Sequence, residues 1–306
     1  MTSLDTANEQ APSAKKAPLR IVAVHGIGNG FGADVTGARL EELRALKATA
    51  WKQELARGLG VTPNRIDLDF AYYADKLLTG PAAHGTGQDD LLDDPLAQEM
   101  LTAWAQELGV STELTQGHAT VPLRELSSWI ARKFDLAEGP LRVFIQLLFR
   151  EVAAYLRADD CAERLAARGV VAQRIARHQP QVVIAHSLGS VVAYEALHAH
   201  PNLEPQLLLT LASPLALPRA VFRRLVPRPD GVAPALQGSR PPGAQRWVNI
   251  ADPGDPVAVP PRLSSYFEGI ALDHTTVVGF LFDFHNAANY LRSSTTAATI
   301  APYLDL

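Results

Sequence analysis

Short apolar segments alternate with longer segments of helical periodicity along most of this 306-residue chain. Residues 19–24 and 181–185 are short, mostly apolar runs, as in strands buried on both faces of a parallel sheet. Residues 37–59 and 188–199 place apolar side chains three or four positions apart, as an amphipathic helix does. Further strands are predicted at residues 65–73, 206–212, 245–251 and 270–280, and a further helix at 286–292. The alternation predicts an α/β fold, with a mainly parallel sheet and helices on both faces.

About a hundred residues separate the second predicted strand from the third, where one crossover helix needs only about a dozen. We therefore predict an insertion at residues 74–180. It is predicted to contain a loop at 80–95 and helices at 95–108, 121–134 and 141–156. In an enzyme, such an insertion is typical of a lid over the active site. The last of these helices is strongly apolar, which also fits a helix of the core.

Composition excludes several classes of protein. Hydrophobic residues make up 47% and charged residues 20%, which is ordinary for a globular chain. The 28 basic and 32 acidic side chains leave no basic excess for nucleic acid. Residues 1–17 lack an apolar core and predict a flexible tail, so the folded domain is expected at 18–306. With no apolar run near the roughly 20 residues of a membrane span, and with Cys161 as the only cysteine, we expect a cytoplasmic protein.

The sharpest local pattern is Ala185-His186-Ser187-Leu188-Gly189, between a predicted strand and a predicted helix. A serine on such a turn stands exposed at the sheet edge when the residues two before and two after it are small. Ala185 and Gly189 satisfy that requirement. The alternative is a serine that only caps the helix.

Together with this turn, the run IVAVHGIG at residues 21–28 resembles the α/β-hydrolase superfamily of serine hydrolases. The resemblance covers about residues 18–295 and is greatest to bacterial relatives of GPI inositol-deacylase-like lipases and to serine-peptidase-like hydrolases. It implies an α/β-hydrolase fold in a reduced version that begins near the family's third strand. It also implies catalysis by a Ser-His-Asp triad, with Ser187 as the nucleophile.

The resemblance further implies an oxyanion hole made of backbone N–H groups. Leu188 would supply one donor, and the loop after the first strand the other. Ile27 is favoured for the second donor, with Gly26 or Gly28 as alternatives. The residues expected to support the site are His25, Gly26, Gly28, His186 and Gly189.

A dinucleotide-binding loop is the competing interpretation of this glycine-rich segment. The run GNGFGA at residues 28–33 fits Gly-x-Gly-x-x-Ala after a strand. That motif also needs an acidic residue about 20 positions later, at the end of the next strand. Here that region is the predicted helix around Trp51, which disfavours the dinucleotide interpretation.

The base and the acid are expected after the serine, in the order Ser, Asp, His. Asp255 is similar to the catalytic aspartate of the bacterial branch of the family, and Asp252 stays open as an alternative because spacing cannot separate them. His285 follows the last predicted strand, where the family places its base. His274, within that strand, is the remaining candidate.

These residues predict a serine hydrolase that cleaves an ester of the carboxylesterase or lipase type through an acyl-enzyme. A small-molecule or lipid ester is the expected substrate, with no cofactor and no metal; the sequence names no partner protein. Peptidase, thioesterase and acyltransferase chemistry would use the same triad. A non-catalytic α/β-hydrolase scaffold that binds a ligand or a partner protein is the alternative from another class.

Overall fold

A parallel sheet of six strands forms the centre of the protein, in the order β2-β1-β3-β4-β6-β8. The computed structural model describes residues 16–30, 35–77, 94–110, 123–279 and 285–304. The strands are β1 Leu19–Val24, β2 Ile66–Ala71, β3 Val182–His186, β4 Leu207–Leu211, β5 Gly238–Ser239, β6 Arg246–Ala251, β7 Phe267–Glu268 and β8 Ile270–Thr275. The short strands β5 and β7 pair separately from the main sheet.

The described residues form helices between the strands and after β8. They are α1 Gly37–Leu59, α2 Ala74–Leu77, α3 Pro95–Glu107, α4 Leu123–Phe134, α5 Glu138–Leu156, α6 Ala162–His178, α7 Leu188–Ala199, α8 Ala287–Arg292 and α9 Ser294–Ile300. Helix α6 was not predicted, and α9 follows what was expected to be the last helix. The predicted tail lies mostly outside the described residues, as does most of the predicted loop at 80–95. None of the described helices combines the length and the apolar character needed to cross a membrane.

The two faces of the sheet bury separate apolar cores, because alternate side chains of a strand point to opposite faces. On one face, α1, α8 and α9 cover residues such as Ile21 and Ile184. On the other, helices α3 to α7 cover residues such as Val22 and Val183. The central strands β3 and β4 are buried along their whole length, which explains their continuous apolar sequences. The α/β prediction and the mainly parallel sheet are confirmed.

The strand order places a topological switch point between β1 and β3. From β1 the chain continues to β2 on one side, and later returns to β3 on the other. The loops after these two strands therefore diverge from a common edge and leave a crevice, where ligands bind in open parallel sheets. Those loops carry the His-Gly run and the predicted nucleophile.

The insertion contributes a helical layer rather than a separate body. Helix α5 buries one side, including Ile145, Phe149 and Val152, within the larger core. Helix α6, at the end of the predicted insertion, lies against β1 and β2. The role of this layer as a lid stays a prediction.

Strand β8 ends at Thr275, five residues before the end predicted from the apolar run. The backbone N–H groups of Val278 and Gly279 donate to the carboxylate of Asp252, at 2.7 and 3.1 Å. A loop-to-side-chain contact thus replaces the sheet pairing that the apolar sequence favoured.

Candidate active site

Ser187 occupies the sharp turn between β3 and α7. Its φ of 55° and ψ of −133° lie in a region that residues with a side chain rarely adopt and that is often found at functional sites. Its N–H donates to the carbonyl oxygen of Leu211 at 3.0 Å, and its own carbonyl oxygen accepts from the N–H of Ser190 at 2.9 Å. Although Ser187 stands at the N-cap position of α7, its hydroxyl makes no capping hydrogen bond. An ordinary capping role therefore does not account for this serine.

Two glycines let the turn lie close to the end of β1. A Cβ on Gly189 would lie 2.2 Å from the carbonyl oxygen of His25, and one on Gly26 would lie 2.6 Å from the Cβ of Ser187. Both distances are far shorter than van der Waals contact allows. Glycine at these positions brings the first turn of α7 and the His-Gly loop together at the switch point.

His285 lies beside Asp255, although the two residues are on separate loops. The imidazole Nδ1 is 2.8 Å from Oδ2 of Asp255, and both side chains are buried, with exposed fractions of 5% and 0%. The carboxylate also accepts from the hydroxyl of Tyr290 at 3.0 Å and from the N–H of Val257 at 2.9 Å. Since a carboxylate oxygen only accepts, Nδ1 carries the proton, and Nε2 of the neutral ring has a free lone pair.

Both carboxylate oxygens of Asp252, the alternative acid, accept hydrogen bonds from backbone N–H groups. Its Oδ1 accepts from Gly254 at 2.8 Å, and its Oδ2 accepts from the two loop N–H groups described above. His274, the alternative base, is half-buried on the edge strand β8. The structure therefore brings Asp255, rather than Asp252, to His285, and the catalytic roles of the pair stay predictions.

The hydroxyl of Ser187 and Nε2 of His285 are both buried, and neither has a hydrogen-bond partner among the described residues. The serine–imidazole hydrogen bond of a serine hydrolase is thus not formed in this structure. Such bonds are often long or badly aligned before substrate binds. Ser187 itself is 0% exposed.

His186 lies next to this pair. Its ring centroid is 4.7 Å from that of His285. Burial, together with the nearby rings of His285 and His25, lowers the pKa of His186 well below its ordinary value. The structure thus places His186 beside His285, and its supporting role stays a prediction.

His25 organises the loop after β1. Its Nε2 accepts from the N–H of Tyr73 at 3.1 Å, so Nδ1 carries the proton and donates to the carbonyl oxygen of Gly26 at 2.6 Å. The hydroxyl of Tyr73 in turn donates to the carbonyl oxygen of His25 at 2.9 Å. Burial lowers the pKa of His25 to about 4, which keeps the ring neutral near pH 7. This histidine thus holds the loop through hydrogen bonds and carries no charge.

Two further side chains hold the same loop. The amide of Asn29 donates to the carbonyl oxygens of Gly26 and Ile27, both at 3.1 Å. The carboxylate of Glu151, on α5, accepts from the N–H of Gly28 at 3.0 Å. The Gly28 N–H is therefore already engaged, whereas no described group accepts from the N–H of Ile27.

One side of α5 covers the site. The ring of Phe144 makes an edge contact with His285, at a centroid distance of 5.2 Å. Seven residues later, on the same face of the helix, Glu151 contacts the His-Gly loop. Helix α3 contacts the loop that carries Asp255, where Nε1 of Trp104 donates to the carbonyl oxygen of Pro256 at 2.7 Å. The insertion therefore touches both the candidate base and the candidate oxyanion loop.

Sequence reasoning missed Tyr290, Asn29 and Glu151. Glu151 had a detectable signal, because it is a lone acidic residue within the strongly apolar part of a predicted helix. Burial raises the pKa of Glu151 to about 7, against the lowering effects of the Gly28 N–H and of Arg150. Tyr290 and Asn29 gave no such signal, since a tyrosine in a helix and an asparagine in a loop are ordinary.

Across the described ranges, no three His, Cys, Asp or Glu side chains are grouped so that they could hold a metal ion. Comparison with family models, with curated proteins and with solved structures finds no match to this chain.

Proposed function

We propose that this protein is a serine hydrolase of the α/β-hydrolase type that cleaves an ester through an acyl-enzyme. The observation that carries the proposal is the buried His285–Asp255 pair. The Nε2 of His285 is buried without a hydrogen-bond partner among the described residues, and its ring lies 4.7 Å from the ring of His186, the residue directly before Ser187. A serine hydroxyl needs such a base, itself oriented by a third group, to act as a nucleophile.

In the first step, His285 Nε2 takes the proton of the Ser187 hydroxyl as that oxygen attacks the ester carbonyl carbon. Asp255 keeps the proton on Nδ1 and stabilises the imidazolium that forms. Tyr290 and the Val257 N–H hold this carboxylate in place. His285 then protonates the leaving alkoxide and later activates the water that releases the acyl group.

The oxyanion formed in each step needs fixed donors. The Leu188 N–H follows the nucleophile at the start of α7, where the helix dipole also favours negative charge. The Ile27 N–H is the best second donor, because the neighbouring Gly28 N–H is occupied by Glu151.

Apolar side chains lie beside the loop that carries Asp255. They favour an ester with an uncharged acyl part, from a small molecule or a lipid. Trp104, Leu148 and Val257 line a small cavity together with other apolar residues. Two arginines of the segment that follows β4 pair with carboxylates. Arg224 contacts Glu99 at 2.7 Å, and Arg228 contacts Asp159 at 2.8 Å.

A non-catalytic scaffold with the same fold is the second candidate. The observations that favour it are the full burial of Ser187 and the missing hydrogen bond between its hydroxyl and His285. A scaffold would keep the fold and bind a ligand without turning it over.

Labelling with a fluorophosphonate probe, together with hydrolysis of p-nitrophenyl esters, separates the two candidates. The wild type should react with the probe and should hydrolyse the esters. Ser187→Ala should abolish labelling, and His285→Ala should lower turnover by roughly 10³-fold or more. Ser265→Ala and His200→Ala, at exposed positions, are the matched controls. Folded wild type that neither labels nor hydrolyses any ester of the series would favour the scaffold.

A further inference from the structure

Glu151 is a buried carboxyl group that the proposed mechanism does not use. It is 2% exposed, and its Oε2 is buried without a hydrogen-bond partner in the described part of the chain. Burying a carboxyl group without satisfying both oxygens is costly. An apolar residue would fill the same place in α5 without that cost, so packing does not explain the glutamate.

The other deeply buried glutamate provides a contrast. Glu195, on α7, binds Arg164 through both of its oxygens and also accepts from the hydroxyl of Tyr155 at 2.7 Å and the N–H of Val226 at 2.9 Å. That network joins three elements of the core and explains Glu195 as a structural residue. Among the described residues, Glu151 has one hydrogen-bond partner, the N–H of Gly28.

The contact between Glu151 and the Gly28 N–H affects the direction of the neighbouring N–H groups. Peptide units are planar and trans, so the carbonyl oxygen and the N–H of each unit point in opposite directions. The carbonyl oxygen of Gly26 is held by His25 and Asn29, which directs the Ile27 N–H the opposite way. The next peptide unit joins Ile27 to Gly28. Asn29 donates to its carbonyl oxygen, which belongs to Ile27, and Glu151 accepts from its N–H, which belongs to Gly28. Without Glu151, that second unit would keep only one of its two anchors.

We propose that Glu151 is a positioning residue that keeps the loop after β1 in the conformation in which the Ile27 N–H can bind the oxyanion. The proposal rests on the proposed function. Glu151 acts through the loop and does not touch the substrate. It also connects the insertion to catalysis, because the same face of α5 contacts His285 through Phe144.

The test compares Glu151→Leu, Glu151→Asp and Glu151→Gln in ester hydrolysis. Leucine has no acceptor and aspartate is one methylene too short, so each should lower kcat by about 10- to 100-fold with KM changed less than about threefold, since removing one oxyanion donor costs about 10²- to 10³-fold. Glutamine keeps an acceptor oxygen for the Gly28 N–H and should recover most of kcat. Glu138→Leu, at the exposed start of the same helix, is the control.

Thermal unfolding of each variant shows that the comparison is made between folded proteins. If the leucine variant does not fold, the aspartate variant carries the same comparison. Wild-type kcat in a folded leucine or aspartate variant would overturn the proposal, as would an equal loss of kcat in the glutamine variant. An inactive and unlabelled wild type would instead remove the proposed function, and with it this inference.

Discussion

Replacing Glu151 with glutamine should change how the stability of the protein depends on pH. Burial raises the pKa of this carboxyl group from 4.5 to about 7 in the folded protein. The unfolded chain exposes the group and restores its ordinary value. Glutamine has nearly the same shape, keeps an oxygen for the Gly28 N–H and does not titrate.

The sign follows from proton binding. Between pH 4.5 and about 7 the folded protein holds a proton on Glu151 that the unfolded chain has released, so the free energy of unfolding falls as pH rises. Each pH unit of that interval corresponds to about 1.4 kcal/mol. Over this interval, the free energy of unfolding of the wild type should fall by about 3 kcal/mol relative to that of Glu151→Gln. Above pH 7 the difference should stay constant.

His25 titrates in the same range but does not disturb the comparison. Its pKa is lowered to about 4, so the unfolded chain binds the extra proton between pH 4 and 6.5, and the free energy of unfolding rises with pH there. That contribution is common to both proteins and cancels in their difference. In the variant alone it should appear as stability that increases from pH 4 to 6.5.

Urea unfolding, followed by tryptophan fluorescence at pH 5, 6, 7 and 8, measures the free energies of unfolding of the wild type and of Glu151→Gln. Glu204→Gln, at an exposed position, is the control. A difference that is the same at pH 5 and pH 8 would refute the reasoning, because Glu151 would then titrate alike in the folded and unfolded states.

Asp255→Asn should lower kcat by about 10³- to 10⁴-fold, because an amide cannot hold the proton on Nδ1 of His285 as a carboxylate does. Asp252→Asn should lower kcat less than about tenfold while costing about 1 to 2 kcal/mol of stability through its backbone contacts; ester kinetics with the opposite ranking would transfer the acid role. Gly189→Ala should destabilise the protein by about 2 kcal/mol or more, since the new methyl group would lie 2.2 Å from a backbone oxygen. Gly169→Ala, where a methyl group meets nothing within 4 Å, should stabilise α6 by about 0.5 to 1 kcal/mol, and equal melting temperatures for the two variants would contradict the close approach of α7 to β1.

Much of the fold could be predicted because its signals are local. The predicted bounds of β1, α1 and α7 agree with the structure, since apolar periodicity and a glycine or polar residue at each end are properties of consecutive residues. The prediction of β8 extended too far, because Val278 and Gly279 are apolar but their N–H groups bind Asp252. The turn of Ser187 was predictable for the same reason as the strands, since its strained backbone needs small neighbours in the sequence.

The sequence by itself therefore determined most of the strands, the helices α1 and α7, and the place of Ser187 between a strand and a helix. Only the tertiary structure shows that Asp255, and not Asp252 three residues before it, contacts His285, because this contact depends on how a loop 30 residues away packs. It alone joined Glu151 to Gly28 across 123 positions of the chain. Such contacts depend on how separate elements pack, and no periodicity within a segment records which distant side chain will satisfy a buried hydrogen-bonding group.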